Sequence, residues 1–188
     1  MTNLNTTHVM VDIETMGKTP GHAILSIGAV TFDSNGIHRE FNREISLESC
    51  YHEYNMKIDD ETVDWIEDQD ASFTVEGEPL PDVLETFSEW LPDRNYKIWA
   101  NSPSFDCRFL KDAYSRCGMK AQWNFWDQRD VRTAEEFFSY ITGENSPEPD
   151  LDGNDHDPLY DAKKQALSVL IAQRKARNQR RVLSKNKP

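Results

Sequence analysis

The stretch His8-Val-Met-Val-Asp-Ile-Glu14 is the part of this 188-residue chain that decides its fold. Its apolar and β-branched residues predict a buried strand. Asp12 and Glu14 lie two residues apart, so both side chains leave the same face of that strand, about 6.6 Å apart along it. Two carboxylates on one face at the end of a buried strand repel each other, and a proton or a cation must compensate them. This pair is therefore the first candidate for a functional site.

Two further strands follow the first one. Residues 23–32 (AILSIGAVTF) are apolar and rich in β-branched residues, and the turn-like segment 17–22 separates them from the first strand. Asn35-Gly36 is a hairpin signal, and over residues 37–45 polar residues alternate with Ile37, Arg39, Phe41, Arg43 and Ile45, as in a strand. The N-terminal part is therefore predicted to be a three-stranded meander.

Later segments change to the spacing of helices, with short apolar strands between them. This pattern predicts helices over 59–67, 81–91, 104–118 and 131–141, and strands over 97–100 and 124–130. A meander followed by alternating helices and strands predicts an α/β protein with an RNase H-like mixed sheet flanked by helices. We expect one domain over residues 1–175 and a basic C-terminal tail over 176–188.

Capping residues mark the ends of several predicted helices. Gly118 fits the position just after a helix, where glycine is favoured. Asp130 fits the N-cap of the helix that follows it. The acidic, proline-rich segment 144–157 is predicted to be a loop. Asp157-Pro158 combines a cap residue with the proline favoured at the first helical position, so the last helix is predicted to begin there.

The charge of the chain is unevenly distributed. The sequence has 33 Asp and Glu residues against 21 Lys and Arg residues, a net charge of −12. Residues 163–188 contain nine of the basic residues and no acidic one. An acidic body excludes nucleic-acid binding by bulk positive charge. The basic end is expected either to contact a phosphate backbone or to be a solvated helix end.

Neither the cysteines nor the N-terminus indicates export. Cys50, Cys107 and Cys117 match neither a zinc-binding spacing nor a C-x-x-C redox pair, so we expect free thiols in a reducing compartment. The first ten residues lack a basic segment followed by a long apolar one, and the longest apolar run is too short to cross a bilayer. We therefore expect a cytoplasmic protein with no membrane partner.

Two more carboxylates are candidates for the same site. Asp106 follows a predicted strand and opens a helix, which places it at the edge of the sheet. Asp161 lies about one turn inside the last helix. Two carboxylates about 6 Å apart repel each other by about 3 kcal/mol at an effective dielectric of 20. Oxygen ligands without cysteine favour hard cations, so the sequence predicts Mg²⁺ or Mn²⁺ if these groups meet.

His156 is a candidate general base. It lies five residues before Asp161, just outside the predicted last helix and therefore on a loop near the carboxylates. An imidazole changes its charge near neutral pH and is suited to taking a proton from an attacking water. The other histidines have no such surroundings, and we expect them to be structural or surface residues.

Three motifs resemble the DEDD 3′→5′ exonucleases, and specifically their histidine branch (DEDDh). They are VDIET at 11–15, ANSPSFD at 100–106 and HDPLYDA at 156–162, and the last has the H-x4-D spacing of that branch. The tyrosine branch requires Tyr where this chain has Asp157. The extended blocks around the first motif and RDVRT at 129–133 resemble a bacterial and phage group that includes exonuclease VIII and phage exonuclease A. The resemblance covers residues 8–172.

The resemblance implies a metal-dependent 3′→5′ exonuclease that releases nucleoside 5′-monophosphates by a two-metal mechanism. Asp12, Glu14, Asp106 and Asp161 would bind two Mg²⁺ or Mn²⁺ ions, and His156 would be the general base. Thr15, Met16 and Asn101 match positions that contact the substrate in relatives, with Met16 as a wedge against the terminal base.

The expected partner is a nucleic acid with a free 3′ end, and the phage-like resemblance favours single-stranded DNA. An exoribonuclease acting on RNA is an alternative, as is a non-catalytic nucleic-acid-binding module on the same fold. Relatives are often dimers, which adds a homodimer to the expected partners. The same resemblance places the protein in the cytoplasm of a bacterium or of a phage-infected cell.

A calcium-binding loop is a rival interpretation of the acidic C-terminal segment. Asp150, Asp152, Asn154 and Asp161 fall at ligand positions of an EF-hand loop, but Asp155 occupies the place of the required glycine. We therefore disfavour this interpretation.

Aromatic and basic residues outside the motifs have two interpretations. Five tryptophans are candidates for base stacking, although most are expected to be core residues, namely Trp65, Trp90, Trp99, Trp123 and Trp126. Trp65 lies within an acidic run and is the first of them to test by mutation. Arg129 and Arg132 are expected to contact a phosphate or to pair with nearby acids.

Overall fold

The computed structural model of the chain describes residues 7–68, 76–93 and 95–185. These residues form five strands and five α-helices, and three strands come first along the chain, as the sequence predicts. The strands are β1 (His8–Thr15), β2 (Ile24–Asp33), β3 (Gly36–Glu44), β4 (Lys97–Ala100) and β5 (Gln128–Asp130). The helices are α1 (Asp60–Asp68), α2 (Leu80–Trp90), α3 (Asp106–Arg116), α4 (Val131–Thr142) and α5 (Pro158–Lys185).

The strands form one mixed sheet in the order β3-β2-β1-β4-β5. Strands β1, β2 and β3 pair antiparallel, as the predicted meander requires. Strand β4 pairs parallel with β1, and β5 pairs parallel with β4. The predicted α/β mixed sheet flanked by helices is therefore confirmed.

The alternation of side chains along β1 decides which helices each residue meets. Val9, Val11 and Ile13 belong to the larger part of the core, which contains the buried residues of α2 and α3. Met10 belongs to a smaller core cluster on the opposite face, with residues of α4 and α5. Asp12 and Glu14 share the parity of Met10 and thus face α5.

Helix α5 crosses the sheet very close to β2. A Cβ atom on Gly28 would lie 2.1 Å from the carbonyl carbon of Pro158 and 2.2 Å from the amide nitrogen of Leu159. Gly28 is the residue of β2 that pairs with Asp12. Only glycine therefore allows the first turn of α5 to lie against the sheet beside Asp12.

Predicted caps are present at the helices that frame this region. The Asp130 carboxylate accepts a hydrogen bond from the backbone N–H of Thr133, as expected of an N-cap. Asp157 accepts hydrogen bonds from the N–H groups of Leu159 and Tyr160, which fixes the start of α5. Gly118 follows the end of α3 with a φ of 67°, a conformation that glycine adopts at no steric cost.

Three features of the fold differ from or extend the prediction. The predicted strand over 124–130 begins instead with a short 3-10 helix, Phe125–Asp127, and only Gln128–Asp130 are paired as β5. Residues Ser49–Glu53 form a short π-helix that sequence periodicity did not indicate. Helix α5 continues to Lys185, so the described part of the predicted tail is helical, while residues 186–188 lie outside the described residues. No described helix combines the length and the apolarity that crossing a bilayer requires.

Candidate metal centre

Three of the four predicted carboxylates meet at one point. Asp12, Glu14 and Asp161 each offer an oxygen that lies within 4.8 Å of the corresponding oxygens of the other two. Strand β1 supplies the first two residues, and the first turn of α5 supplies the third. In the part of the chain that the structure describes, no other group of three or more His, Cys, Asp or Glu side chains is arranged in this way.

Burial and mutual repulsion disfavour the ionised forms of these carboxylates. Burial raises the pKa of Asp12 to about 7. A hydrogen bond from Gln165 lowers this pKa, and the charge of Asp161 raises it. Burial, and then the charge of Asp12, raise the pKa of Glu14 to about 8. Burial also raises the pKa of Asp161. Three crowded carboxylates with oxygen as the only donor fit a hard divalent cation, which would supply the missing positive charge.

Asp106, the fourth predicted carboxylate, is not one of the three groups that lie within 4.8 Å of one another. It is the first residue of α3, and its side chain is buried. Burial raises the pKa of its carboxyl well above the usual value, and the nearby charge of Asp12 raises it further. A hydrogen bond with the backbone of Ile13 acts in the opposite direction. Asp106 is thus close enough to Asp12 to feel its charge, and its role as a metal ligand stays a prediction.

Gln165 is a site residue that the sequence analysis missed. Its Nε2 atom donates a hydrogen bond of 2.9 Å to Oδ1 of Asp12, and its Oε1 atom is buried without a partner in the described structure. Gln165 follows Asp161 by four residues, so the two side chains lie on the same side of α5. Four residues rise about 6 Å along a helix. That rise nearly matches the two-residue spacing of Asp12 and Glu14 along β1.

Replacing Gln165 by Leu is expected to weaken Mn²⁺ binding about 10-fold or more, because groups that orient metal ligands commonly contribute this much to affinity. Isothermal titration calorimetry with Mn²⁺ measures the change without any nucleic acid. Gln173→Leu, further along α5, is the matched control and is expected to bind Mn²⁺ like the wild type. Unchanged Mn²⁺ affinity in Gln165→Leu would remove the orienting role.

The raised pKa values predict an unusual pH dependence of stability for the metal-free protein. The folded state retains protons on Asp12 and Glu14 up to pKa values of about 7 and 8, whereas the unfolded chain releases them near pH 4. Because of these two groups, the free energy of unfolding decreases as the pH rises from about 5 to 8. The free energy of unfolding of the wild type is expected to fall over this range by a few kcal/mol relative to that of Asp12→Asn.

Thermal unfolding in EDTA at several pH values measures this difference, and Mg²⁺ or Mn²⁺ at pH 8 is expected to restore the stability of the wild type. Asp82→Asn is the control, because Asp82 is an exposed residue of α2, on the other face of the sheet. The same pH dependence in wild type and Asp12→Asn would contradict the prediction.

His156 lies on the loop that precedes α5, as predicted. Its backbone N–H donates a hydrogen bond of 3.0 Å to Oδ2 of Asp161, and its φ is 70°. Its imidazole ring makes an edge-to-face contact with Trp65, with 5.2 Å between the ring centroids. The loop therefore attaches to the carboxylate group through its backbone, which leaves the histidine exposed beside that group.

The three predicted substrate contacts have different surroundings. Thr15 Oγ1 donates a hydrogen bond of 2.7 Å to the carbonyl of Gly17, and Asn101 accepts hydrogen bonds from Arg132 through both its side chain and its carbonyl. Their substrate contacts stay predictions. The expectation for Met16 needs correction, because its side chain is 1% exposed and packs in the core, where it cannot act as a wedge against a base.

The structure also locates the tryptophans and the two arginines for which the sequence allowed either a structural or a substrate-binding role. Trp99 and Trp123 are buried core residues, as expected for most of the tryptophans, whereas Trp65 and Trp126 are exposed. Arg129 donates to the carbonyls of Trp126 and Gln128. Arg132 and Arg129 thus bond to amide and carbonyl oxygens, and no ion pair with an acid is found for either among the described residues.

Comparison with known families identifies the chain. Residues 7–172 match the model of the 3′-5′ exoribonuclease Rv2179c-like domain. The chain belongs to this family. This match agrees with the predicted resemblance to 3′-5′ exonucleases. The narrower resemblance to exonuclease VIII and phage exonuclease A stays a prediction. A comparison with curated proteins gives no match.

Solved exonuclease structures share the fold of this family member. E. coli exonuclease I in complex with a dT13 oligonucleotide has a TM-score of 0.68 and 15% sequence identity, with 97% of this chain and 44% of that chain covered. The nuclease domain of 3′hExo, a DEDDh family member bound to rAMP, has a TM-score of 0.59 and 16% identity, with 90% and 92% covered. The chain therefore spans less than half of the exonuclease I chains and nearly the whole 3′hExo nuclease domain.

Proposed function

We propose that this exonuclease removes nucleoside 5′-monophosphates one at a time from the 3′ end of single-stranded RNA and depends on Mg²⁺ or Mn²⁺. The observation that carries the proposal is the approach of Asp12, Glu14 and Asp161 to within 4.8 Å of one another. These side chains would hold the metal, and Asp106 is the predicted fourth ligand of a two-ion site. Bound divalent ions supply charge stabilisation to a phosphoryl transfer and increase the acidity of the attacking water.

The residues around the carboxylates suit the remaining parts of the reaction. The attacking water forms a bond to phosphorus, the bond from phosphorus to the 3′-oxygen of the preceding nucleotide breaks, and that oxygen takes up a proton. His156 would accept the proton that the water loses, since its loop is attached to Asp161. The released nucleotide keeps the phosphate on its 5′ side. These steps account for the direction and the product of the proposed reaction.

The family supports RNA as the substrate, because its model describes an exoribonuclease domain and matches 166 residues, 7–172. Single-stranded DNA is the second candidate. Complexes of exonuclease I with DNA oligonucleotides have the same fold, and the sequence motifs resemble a phage group. The chemistry of hydrolysis is the same for both, so the choice depends on how the protein meets the 2′-hydroxyl.

A matched pair of oligonucleotides of one sequence, as RNA and as DNA, tests the proposal. Each carries a 5′ label and is incubated with the wild type in Mg²⁺, in Mn²⁺ and in EDTA. We expect a ladder of products shortened from the 3′ end, faster with RNA, and no hydrolysis in EDTA. Faster hydrolysis of DNA would favour the second candidate, and hydrolysis that persists in EDTA would contradict the metal dependence.

A phosphate on the 3′ end of the RNA gives a sharper control. A 3′-phosphate blocks the terminal hydroxyl that an exonuclease of this direction meets, so we expect slower hydrolysis. Equal rates with free and blocked ends, or internal cuts, would point to an endonuclease instead.

A further inference from the structure

The backbone and the ring of His156 are held by different parts of the protein. The backbone N–H bonds to Asp161 at 3.0 Å, at the start of α5. The backbone of His156 has a left-handed φ of 70°, so the chain turns at this residue just before α5 begins. A positive φ is uncommon outside glycine, although histidine adopts it more often than most other residues do. The hydrogen bond to Asp161 fixes the position of the His156 backbone, but it does not fix the orientation of the imidazole.

The neighbour that orients the ring is Trp65 on α1. The two ring centroids are 5.2 Å apart and the planes are inclined by 83°, which is the edge-to-face arrangement that aromatic rings prefer. Among the described residues, no hydrogen bond to a nitrogen of the His156 ring is found, and the contact with Trp65 is an aromatic contact that can orient the imidazole. Trp65 lies far from His156 in sequence, on a helix that supplies no carboxylate to the metal centre.

The side chain of Trp65 remains accessible to solvent. Its side chain is 46% exposed, although tryptophan is among the largest apolar side chains. The neighbouring residue Ile66 is buried in the core, whereas the indole of Trp65 is half-exposed and meets the exposed imidazole of His156 edge to face.

We propose that Trp65 is a positioning residue that holds the His156 imidazole in the orientation needed for proton transfer. This inference rests on the proposed function, in which His156 is the general base. Removing one edge-to-face contact is expected to change the population of the active ring orientation by about 3- to 10-fold. Trp65→Ala is therefore expected to lower kcat by about that factor and to leave KM unchanged. Trp65→Phe keeps an aromatic ring and is expected to recover most of kcat.

A double-mutant cycle separates positioning from direct contact with the substrate. If Trp65 acts through His156, then Trp65→Ala has no further effect on kcat in a His156→Ala background. If Trp65 instead stacks on a nucleobase, the two effects multiply and KM rises, and the positioning role is overturned. Tyr140→Ala is the matched aromatic control, because Tyr140 is 89% exposed on α4. Its kcat and KM are expected to equal those of the wild type.

A measurement without substrate keeps this inference separate from the proposed function. The ring protons of His156 lie near the indole, so their NMR resonances are expected to be shifted by its ring current and to move toward random-coil positions in Trp65→Ala. Assignment by comparison with His156→Ala identifies the signal. An unshifted His156 resonance in the wild type would overturn the inference even if the enzyme hydrolyses RNA. A shifted resonance in a protein that hydrolyses neither RNA nor DNA would reject the proposed function and leave the ring contact intact.

Discussion

Asp12→Asn is expected to lower kcat for 3′-end hydrolysis at least about 10³-fold, because a metal centre contributes several kcal/mol to the stabilisation of the transition state. One oxygen of Asp12 lies within 4.8 Å of an oxygen of Glu14 and of Asp161, the charge of Asp12 raises the pKa of Asp106, and Gln165 donates a hydrogen bond to Asp12. An amide at this position removes the negative charge that holds a cation and keeps the size of the side chain. Single-turnover hydrolysis of labelled RNA in saturating Mg²⁺ measures the loss.

The same variant is expected to fold and to be at least as stable as the metal-free wild type at pH 8. Its amide removes a buried group whose pKa of about 7 signals an unfavourable charge. Circular dichroism and thermal unfolding provide this control, and Asp82→Asn on α2 is expected to keep full activity. Asp12→Asn with near wild-type kcat would remove the carboxylate group from the mechanism.

His156→Ala is expected to lower kcat by about 10²- to 10⁴-fold, the usual contribution of a general base. Its affinity for Mn²⁺ is expected to change little, because the imidazole is not one of the three groups within 4.8 Å of one another. The fold is expected to be unaffected, since the residue is exposed on a loop. Hydrolysis rates and Mn²⁺ titrations of the same preparation separate the two properties.

His52→Ala is the matched control for this substitution. His52 is also exposed, and its ring contacts Tyr51 far from the carboxylates in sequence. We expect wild-type kcat from His52→Ala. Retained turnover in folded His156→Ala would assign the proton acceptor elsewhere.

The sequence was sufficient to predict the fold and the parts of the site that local rules control. Alternation along β1 placed Asp12 and Glu14 on one face, and the cap at Asp157 fixed the start of α5 and thus the position of Asp161. Both follow from the periodicity of a single element. Local rules do not show which helix packs on which face of the sheet. The resemblance to the family motifs supplied that link between β1 and α5.

The sequence analysis missed Gln165 and the contact of Trp65 with His156, because both depend on packing between distant elements. Gln165 meets a residue 153 positions away in sequence, although its four-residue spacing from Asp161 was a usable helical signal. Trp65 was noticed as an aromatic residue in an acidic run, but nothing local connects α1 with the loop before α5. Met16 was wrong for the opposite reason. A motif position suggested exposure, while the bend after β1 turns its side chain into the core.

The close approach of Gly28 to the first turn of α5 has a consequence for when the three carboxylates assemble during synthesis of the chain. Asp161 reaches Asp12 only after the last helix has docked on a strand made more than 130 residues earlier. The three carboxylates can therefore come together only after residue 161 and the first turn of α5 have been synthesised and have packed against β2.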